Sequence, residues 1–259
     1  MSETPKQDSR SVSELFSTAT DWTLDDGWGA WPAVWALHSL GTSEVLARAL
    51  ELVASDDPRL RERALDILGQ LGVPTRTFPD ECFRAAVERL NNDPDSGVLV
   101  SAAIALGHLK DPRGIDALVG RLNHSDADVR HAVASALGGN SDSKSIAALM
   151  QLMTDEDAHV RDWATFGIGE LGKLDTPEIR EALYRRLDDV DEETRHEAMR
   201  GLARCGDLRV ARPLIDALKA NPENFDLWDP ASTLLKLDDE HEEFSADALI
   251  ERIQSLISK

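Results

Sequence analysis

The chain repeats itself. The segment Asp126-Ala-Asp-Val129-Arg130-His-Ala-Val133-Ala-Ser-Ala136-Leu137-Gly138 returns 31 residues later as Asp157-Ala-His-Val160-Arg161-Asp-Trp-Ala164-Thr-Phe-Gly167-Ile168-Gly169. Each block can be counted from the residue three after its Asp, taken as position zero. Minus three is then Asp26, Asp57, Asp95, Asp126, Asp157, Asp191 and Asn224, at steps of 31, 38, 31, 31, 34 and 33 residues. Plus four is Ala33, Ala64, Ala102, Val133, Ala164, Ala198 and Ala231. Plus eight is Leu37, Leu68, Leu106, Leu137, Ile168, Leu202 and Leu235. A period of a few tens of residues marks a solenoid, in which no unit buries its apolar face until its neighbours stack on it.

Each block predicts a helix. Positions zero, four, seven, eight and eleven lie on one stripe at 3.6 residues per turn. The Asp just before can accept the orphan N–H groups of the first turn. Gly69, Gly107, Gly138, Gly169 and Ala203 at plus nine point to close helix approach. Glycine there costs up to about 1 kcal/mol of helix propensity, which packing must offset. Between blocks lies a second helix, opened by Asp111-Pro112, by Asp175-Thr-Pro177 and by Asp207. Flanking helices are expected at about Ser11–Thr20 and Phe244–Ser258. The expected fold is thus all-α: a right-handed superhelical α-solenoid of about seven antiparallel helix pairs with a C-terminal capping helix. The expected organisation is a loose tail at 1–10 and one repeat domain at 11–259. Its units run about 11–41, 42–72, 77–110, 111–140, 142–172, 175–206 and 207–237, with a cap at 242–259.

Charge and cysteine content narrow the partners. The formal net charge is −20. Such a surface repels phosphate backbones, so nucleic acid is not an expected partner, and a basic protein surface is. No apolar run is long enough to span a bilayer and no leader opens the chain, so a cytoplasmic, monomeric protein is expected. The two cysteines, Cys82 and Cys205, lie in distant repeats, which fits a reducing compartment; Cys205, at plus eleven, is expected in the core.

With the helix pairs, the roughly 31-residue step and the Asp-x-x-Val-Arg…Ala-Leu-Gly signature in place, the chain resembles HEAT-like repeats, and within them the phycobilisome-lyase (PBS lyase) subtype. Val160–Gly169 and Thr194–Ala203 look like bacterial HEAT-repeat proteins of unassigned function. The resemblance implies an armadillo-type scaffold, and fold alone does not choose a chemistry. HEAT-like deoxyhypusine hydroxylases hold two irons with several His-Glu pairs. Here only His196-Glu197 matches, while the equivalent places read His131-Ala132, Asp162-Trp163, Val100-Ser101 and Glu62-Arg63. There is no Gly-rich phosphate loop, no Cys-x-x-Cys and no nucleophile triad. No catalytic residue, metal or cofactor is therefore expected. A bilin-lyase-like enzyme, which carries no compact motif, is the rival class, and a toxin-neutralising immunity protein is a variant of the binding class.

Two sets of residues stand out. Arg61, Arg130, Arg161 and Arg195 occupy plus one, and are expected to form a structural ladder with Asp57, Asp126, Asp157 and Asp191 of their own or the next repeat. The second set lies off the core stripe, on the helix that lines the concave wall in HEAT-type stacks. Trp31, Val100, His131, Asp162 and His196 take plus two; Trp35, Ile104, Phe166 and Arg200 take plus six. Trp163 stands on the border and Trp228 is grouped with them. Aromatic and apolar side chains off the core stripe suggest a protein-binding groove. Trp22, Trp28, Trp31 and Trp35 crowd the N-terminal repeat, where they are expected to close the end of the core. The expected function is a non-catalytic scaffold or adaptor.

Overall fold

In the computed structural model, residues 8–24, 28–172, 174–237 and 245–258 are described. Asp25 and Asp26, of the first block, lie outside them. The described residues form fifteen α-helices joined by turns and short 3-10 segments, and include no strand. None of the helices is long and apolar enough to cross a membrane. The chain groups into two compact units, Met1–Ala136 and Leu137–Lys259.

The first unit contains α1 (Val12–Ala19), α2 (Trp31–Leu40), α3 (Ser43–Val53), α4 (Pro58–Gly69), α5 (Pro79–Asn92), α6 (Ser96–Leu109), α7 (Ile115–Val119) and α8 (Ala127–Leu137), which ends at the divide. Here α1 packs on α2, α3 on α4 and α5 on α6, while α2, α4 and α6 stack on one another. The second unit contains α9 (Ser143–Leu152), α10 (Ala158–Gly169), α11 (Pro177–Arg186), α12 (Glu192–Arg204), α13 (Ala211–Ala220), α14 (Trp228–Leu235) and α15 (Ala246–Ile257). Here α9 packs on α10 and α11 on α12, the helices α10, α12 and α14 stack, and α15 covers both α13 and α14. Within each unit these block helices therefore form a first layer by stacking on one another, and the intervening helices that pack on them form a second.

The columns explain the layers. All seven plus-four residues are completely buried. At plus eight, six of the seven are buried and Leu235 is half-buried. The minus-three Asp is the N-cap: Asp57 accepts from the Arg59 N–H, Asp157 from Val160 and Asp191 from Thr194. In the second layer the caps are Thr42, Asp142 and Thr176. At α11 the cap is thus Thr176 rather than the expected Asp175, whose carboxylate instead takes two bonds from Arg180. Cys82 is buried, whereas Cys205, expected in the core, caps the end of α12 and is half-buried.

Successive first-layer helices touch through plus nine of one and plus seven of the next. A Cβ on Gly69 would sit 2.9 Å from the Ala105 Cα, and one on Gly201 would sit 2.8 Å from the Gly169 Cα. These are backbone-to-backbone approaches that no side chain could relieve. The Gly201→Ala variant should therefore lose about 1–3 kcal/mol in urea unfolding, although alanine is the better helix former by up to about 1 kcal/mol. Ile168→Ala, which empties a packed core position, should cost about 2–5 kcal/mol by the same measurement.

Candidate functional site

The plus-one arginines bind loops before they bind acids. Arg61 Nη1 donates to the carbonyls of Ser55 and Asp56, and Arg161 Nη1 to those of Asp155 and Glu156. Arg130 and Arg195 repeat the pattern on His124 and Ser125, and on Asp189 and Val190. Each guanidinium thus ties down the turn that leads into its own helix.

The acid that completes the ladder is not the one expected. Arg61 grips Asp93 through Nε and Nη2, both at 2.8 Å, and Arg161 grips Asp189 at 3.0 and 2.9 Å. These acids stand at minus five of the next repeat. The carboxylates of Asp57, Asp126, Asp157 and Asp191 are occupied instead in capping their own helices. Minus five also receives the N–H of minus three, as Asp93 does from Asp95 and Asp189 from Asp191. Burial pushes the carboxyl groups of Asp93 and Asp189 up, but the arginine bonds, the backbone N–H and the nearby charges outweigh it and hold both below the ordinary carboxylate range. Arg195 has no such acid, because minus five of the following repeat is Pro222.

In the first unit the expected groove residues are accessible to differing degrees. Trp35 is 52% exposed and Ile104 41%, while Trp31, Val100 and His131 are half-buried. The Arg63 guanidinium lies between the rings of Trp22 and Trp31, 5.4 and 5.2 Å from their centroids. It also stands 3.6 Å from Asp66. Burial lifts the Asp66 carboxyl to about 6, against the pull of Arg63. The N-terminal tryptophans do not fill the core as expected. Leu15, Phe16, Val34 and Leu37 do, and Trp28 stays 70% exposed.

In the second unit Trp163 is 37% exposed and meets the half-buried Phe166 edge to face at 5.6 Å. Phe225, a residue the pattern did not single out, is largely exposed and lies 4.7 Å from the Trp228 ring. Trp228 itself is half-buried and counts to plus one, the arginine column; plus two of that repeat is Asp229. Arg200 reaches Glu197 on its own helix and Asp226 at 3.2 Å before α14. His196, grouped with the groove residues, is only 6% exposed. It borders a cavity between α12 and α13 rather than an open face, and its Nε2 lies 3.7 Å from Glu192.

Asp162 and Glu197 face α12 and α10 across this packing. Each has one buried carboxylate oxygen without a hydrogen-bond partner. Burial first, then Asp191 and Glu193, raises Asp162 to about 6 against His159 and Arg200. Glu197 rises to about 7 through burial, Asp162 and Glu170, against Arg200. One arginine thus serves two crowded carboxylates.

The repeats have named counterparts. Residues 83–169 match the model for HEAT repeats, and residues 194–220 match the PBS lyase HEAT-like repeat. These two segments therefore carry HEAT-like repeats. Its fold is similar to that of YibA of Escherichia coli, with 24% identity, 96% of this chain and 93% of that one covered, and a TM-score of 0.73. It is also similar to an archaeal HEAT-like repeats protein from Thermococcus onnurineus NA1, with 17% identity, 96% and 99% coverage and a TM-score of 0.53. The complex of CpcE and CpcF of phycocyanin lyase from Nostoc sp. PCC7120 shows 20% identity, 99% coverage of each chain and a TM-score of 0.50. No curated protein matches the sequence. At these identities the HEAT-like neighbours establish the fold alone.

The two kinds of shifted carboxyl give opposite pH dependences. Glu197 and Asp162 ionise later in the folded chain than in the unfolded one, so the stability tied to them falls as pH rises from the ordinary carboxylate range to about 7. Asp93 and Asp189 ionise earlier when folded, so their contribution is present at neutral pH and is lost as pH falls through their lowered values. The change in urea midpoint from pH 7.5 to pH 5.5 should therefore be less favourable for Glu197→Gln than for the natural chain, in which His38 and His108, held neutral by burial, act in the opposite sense.

Proposed function

We propose that the chain is a non-catalytic scaffold or adaptor, which binds another protein with a basic surface through the exposed aromatic side chains of its first-layer helices. One observation carries this reading: the aromatic pair Trp163–Phe166 and the pair Phe225–Trp228 stand off the core, bordered by Asp162, Asp226 and Asp229. Aromatic anchors supply most of the energy of protein interfaces, and surrounding carboxylates favour a cationic partner and speed its approach. In the first unit Trp28, Trp35 and Ile104 offer the same chemistry.

The rival reading is attachment of a chromophore to a partner protein. It is favoured by the PBS lyase type of repeat at 194–220. Absorbance of the purified protein separates the two, because a stoichiometric bound pigment would replace the scaffold reading.

A photo-crosslinking side chain placed at Trp163 or Phe225 should capture a partner in the native cell, and the same group at the second-layer residue Tyr184 should not. With that partner in hand, Phe166→Ala or Trp228→Ala should weaken binding by more than about 1 kcal/mol while leaving the helical circular-dichroism signal unchanged. Equal capture from both layers, or unchanged affinity in both variants, would remove the aromatic face from the interface.

A further inference from the structure

The arginine ladder contains one mismatch. Where plus one is not arginine, minus five of the next repeat is not acidic: Ala30 is followed by Ser55, and Leu99 by His124. Where plus one is arginine, minus five is acidic: Asp93 after Arg61, Asp155 after Arg130 and Asp189 after Arg161. Arg195 alone keeps the arginine and loses the acid, with Pro222 in its place.

Geometry gives that mismatch a definite shape. Arg195 Nη1 is pinned to the carbonyls of Asp189 and Val190 at 2.8 and 3.1 Å. Arg161 Nη1 is pinned to its own turn at 2.9 and 3.1 Å. A planar guanidinium held at one corner on equivalent carbonyls must present its Nε–Nη2 edge in the equivalent direction. In Arg61 and Arg161 that edge carries a carboxylate in the two-bond, fork-to-fork geometry. In Arg195 it meets no acceptor among the described residues, and the side chain is only half-buried. Beside it lies a cavity of about 290 Å³, walled by Met199 of α12, Pro213 and Ala217 of α13, and Asn221 and Leu227 of the following turn. Arg195 is itself one of the residues that line this pocket, whose wall mixes apolar side chains with the polar Asn221. The buried His196 and the exposed Glu192 also line it, 3.7 Å from each other.

We infer that Arg195 and this cavity form a binding site for a carboxylate carrying a short aliphatic group. The guanidinium edge takes the two oxygens, as it takes those of Asp93 and Asp189 elsewhere in the chain, and the apolar wall takes the alkyl part. The volume is at the small end of ligand pockets, which are about 300–1,000 Å³, so the guest is the size of a branched-chain acid. A single negative charge suits the site. The net charge of −20 and the adjacent Glu192 oppose phosphates and polyacids. The same chemistry is offered by a free aliphatic acid and by the terminal carboxylate of a protein chain that ends in an aliphatic residue. Trp163, Phe166, Phe225 and Trp228 do not line the cavity, although Asn221 and Leu227, of the segment that carries Phe225, do.

Calorimetric titration of the full chain tests this with three probes: 4-methylpentanoate, its carboxamide, and a short peptide ending in a leucine carboxylate. The acid should bind, and the carboxamide should bind at least about tenfold more weakly, since it can offer only one acceptor to a charged fork. Peptide binding tenfold or more tighter than the free acid identifies a protein terminus as the guest; equal or weaker binding identifies the small molecule. Arg195→Gln should abolish heat with every probe. The second variant, Pro222→Asp, restores the acid that the other ladder arginines hold. It should raise the urea midpoint and remove binding together, because the fork is then filled from within. Two results would overturn the assignment: no binding of either carboxylate to the natural chain, or binding by Pro222→Asp that equals the natural chain's.

Discussion

The first-layer helices approach until only a methyl group, or nothing, fits between their backbones. The plus-four column is alanine in six repeats and valine in one, all without exposure, and glycine at plus nine meets glycine or alanine at plus seven of the next helix. The rest of the architecture depends on this contact. A helix whose core side chains are so small buries little apolar surface by itself, so the leucines at plus eight and the whole second layer are needed to complete the core. It also sets the axial distance at which loop-level contacts can bridge one repeat to the next.

At that distance the arginine ladder operates. Arg61 and Arg161 are buried, and a buried charge pair is a net gain only when its hydrogen bonds are filled. They are filled here from both sides, by two carbonyls at the entry turn and by both oxygens of a carboxylate in the next repeat. The ladder therefore acts on register. It ties the start of one helix to the start of the next across a helix pair, while the columns of small residues leave the sliding coordinate weakly defined. Among the described residues the other acids stand mostly at helix caps and on exposed faces, apart from Asp66 and the crowded pair Asp162 and Glu197.

Legibility in the sequence tracks the range of each interaction. Capping by Asp57, Asp157 and Asp191 spans two or three residues, and the leucine and alanine columns have a helical period, so both are visible in a single repeat. The ladder acid escapes such a reading because the relevant residue lies about thirty positions away and two before a more conspicuous Asp. Its signal is nevertheless present, as the joint loss of Arg and Asp at Leu99 and His124. His196 is buried beside a cavity that Pro213 and Ala217 of α13 also line, and a pattern read along one helix does not contain that neighbour. Phe225 escapes because it sits in a 3-10 turn, ahead of any periodic segment. The accessibility of Trp35 and Trp163 is legible from their offset from the core stripe, whereas Arg63 between two indoles is not, since it joins three segments.

The last repeat shows how a departure from the column should be weighed. Asn224 for Asp still caps, and Leu235 is half-buried where α15 takes over the packing; both are what the end of a stack requires. Trp228 for Arg is consistent with the same end, because α15 packs on α14 in place of another repeat with its entry turn. Pro222 is different. Where the ladder is interrupted inside the chain, at Leu99 and His124, arginine and acid are absent together, yet Arg195 is present without the acid, anchored on its turn and lining a cavity. The two turn carbonyls occupy Arg195 Nη1 as they do in the other ladder arginines; what sets Arg195 apart is that its Nε–Nη2 edge takes no carboxylate from the next repeat, which leaves that edge available to an external anion.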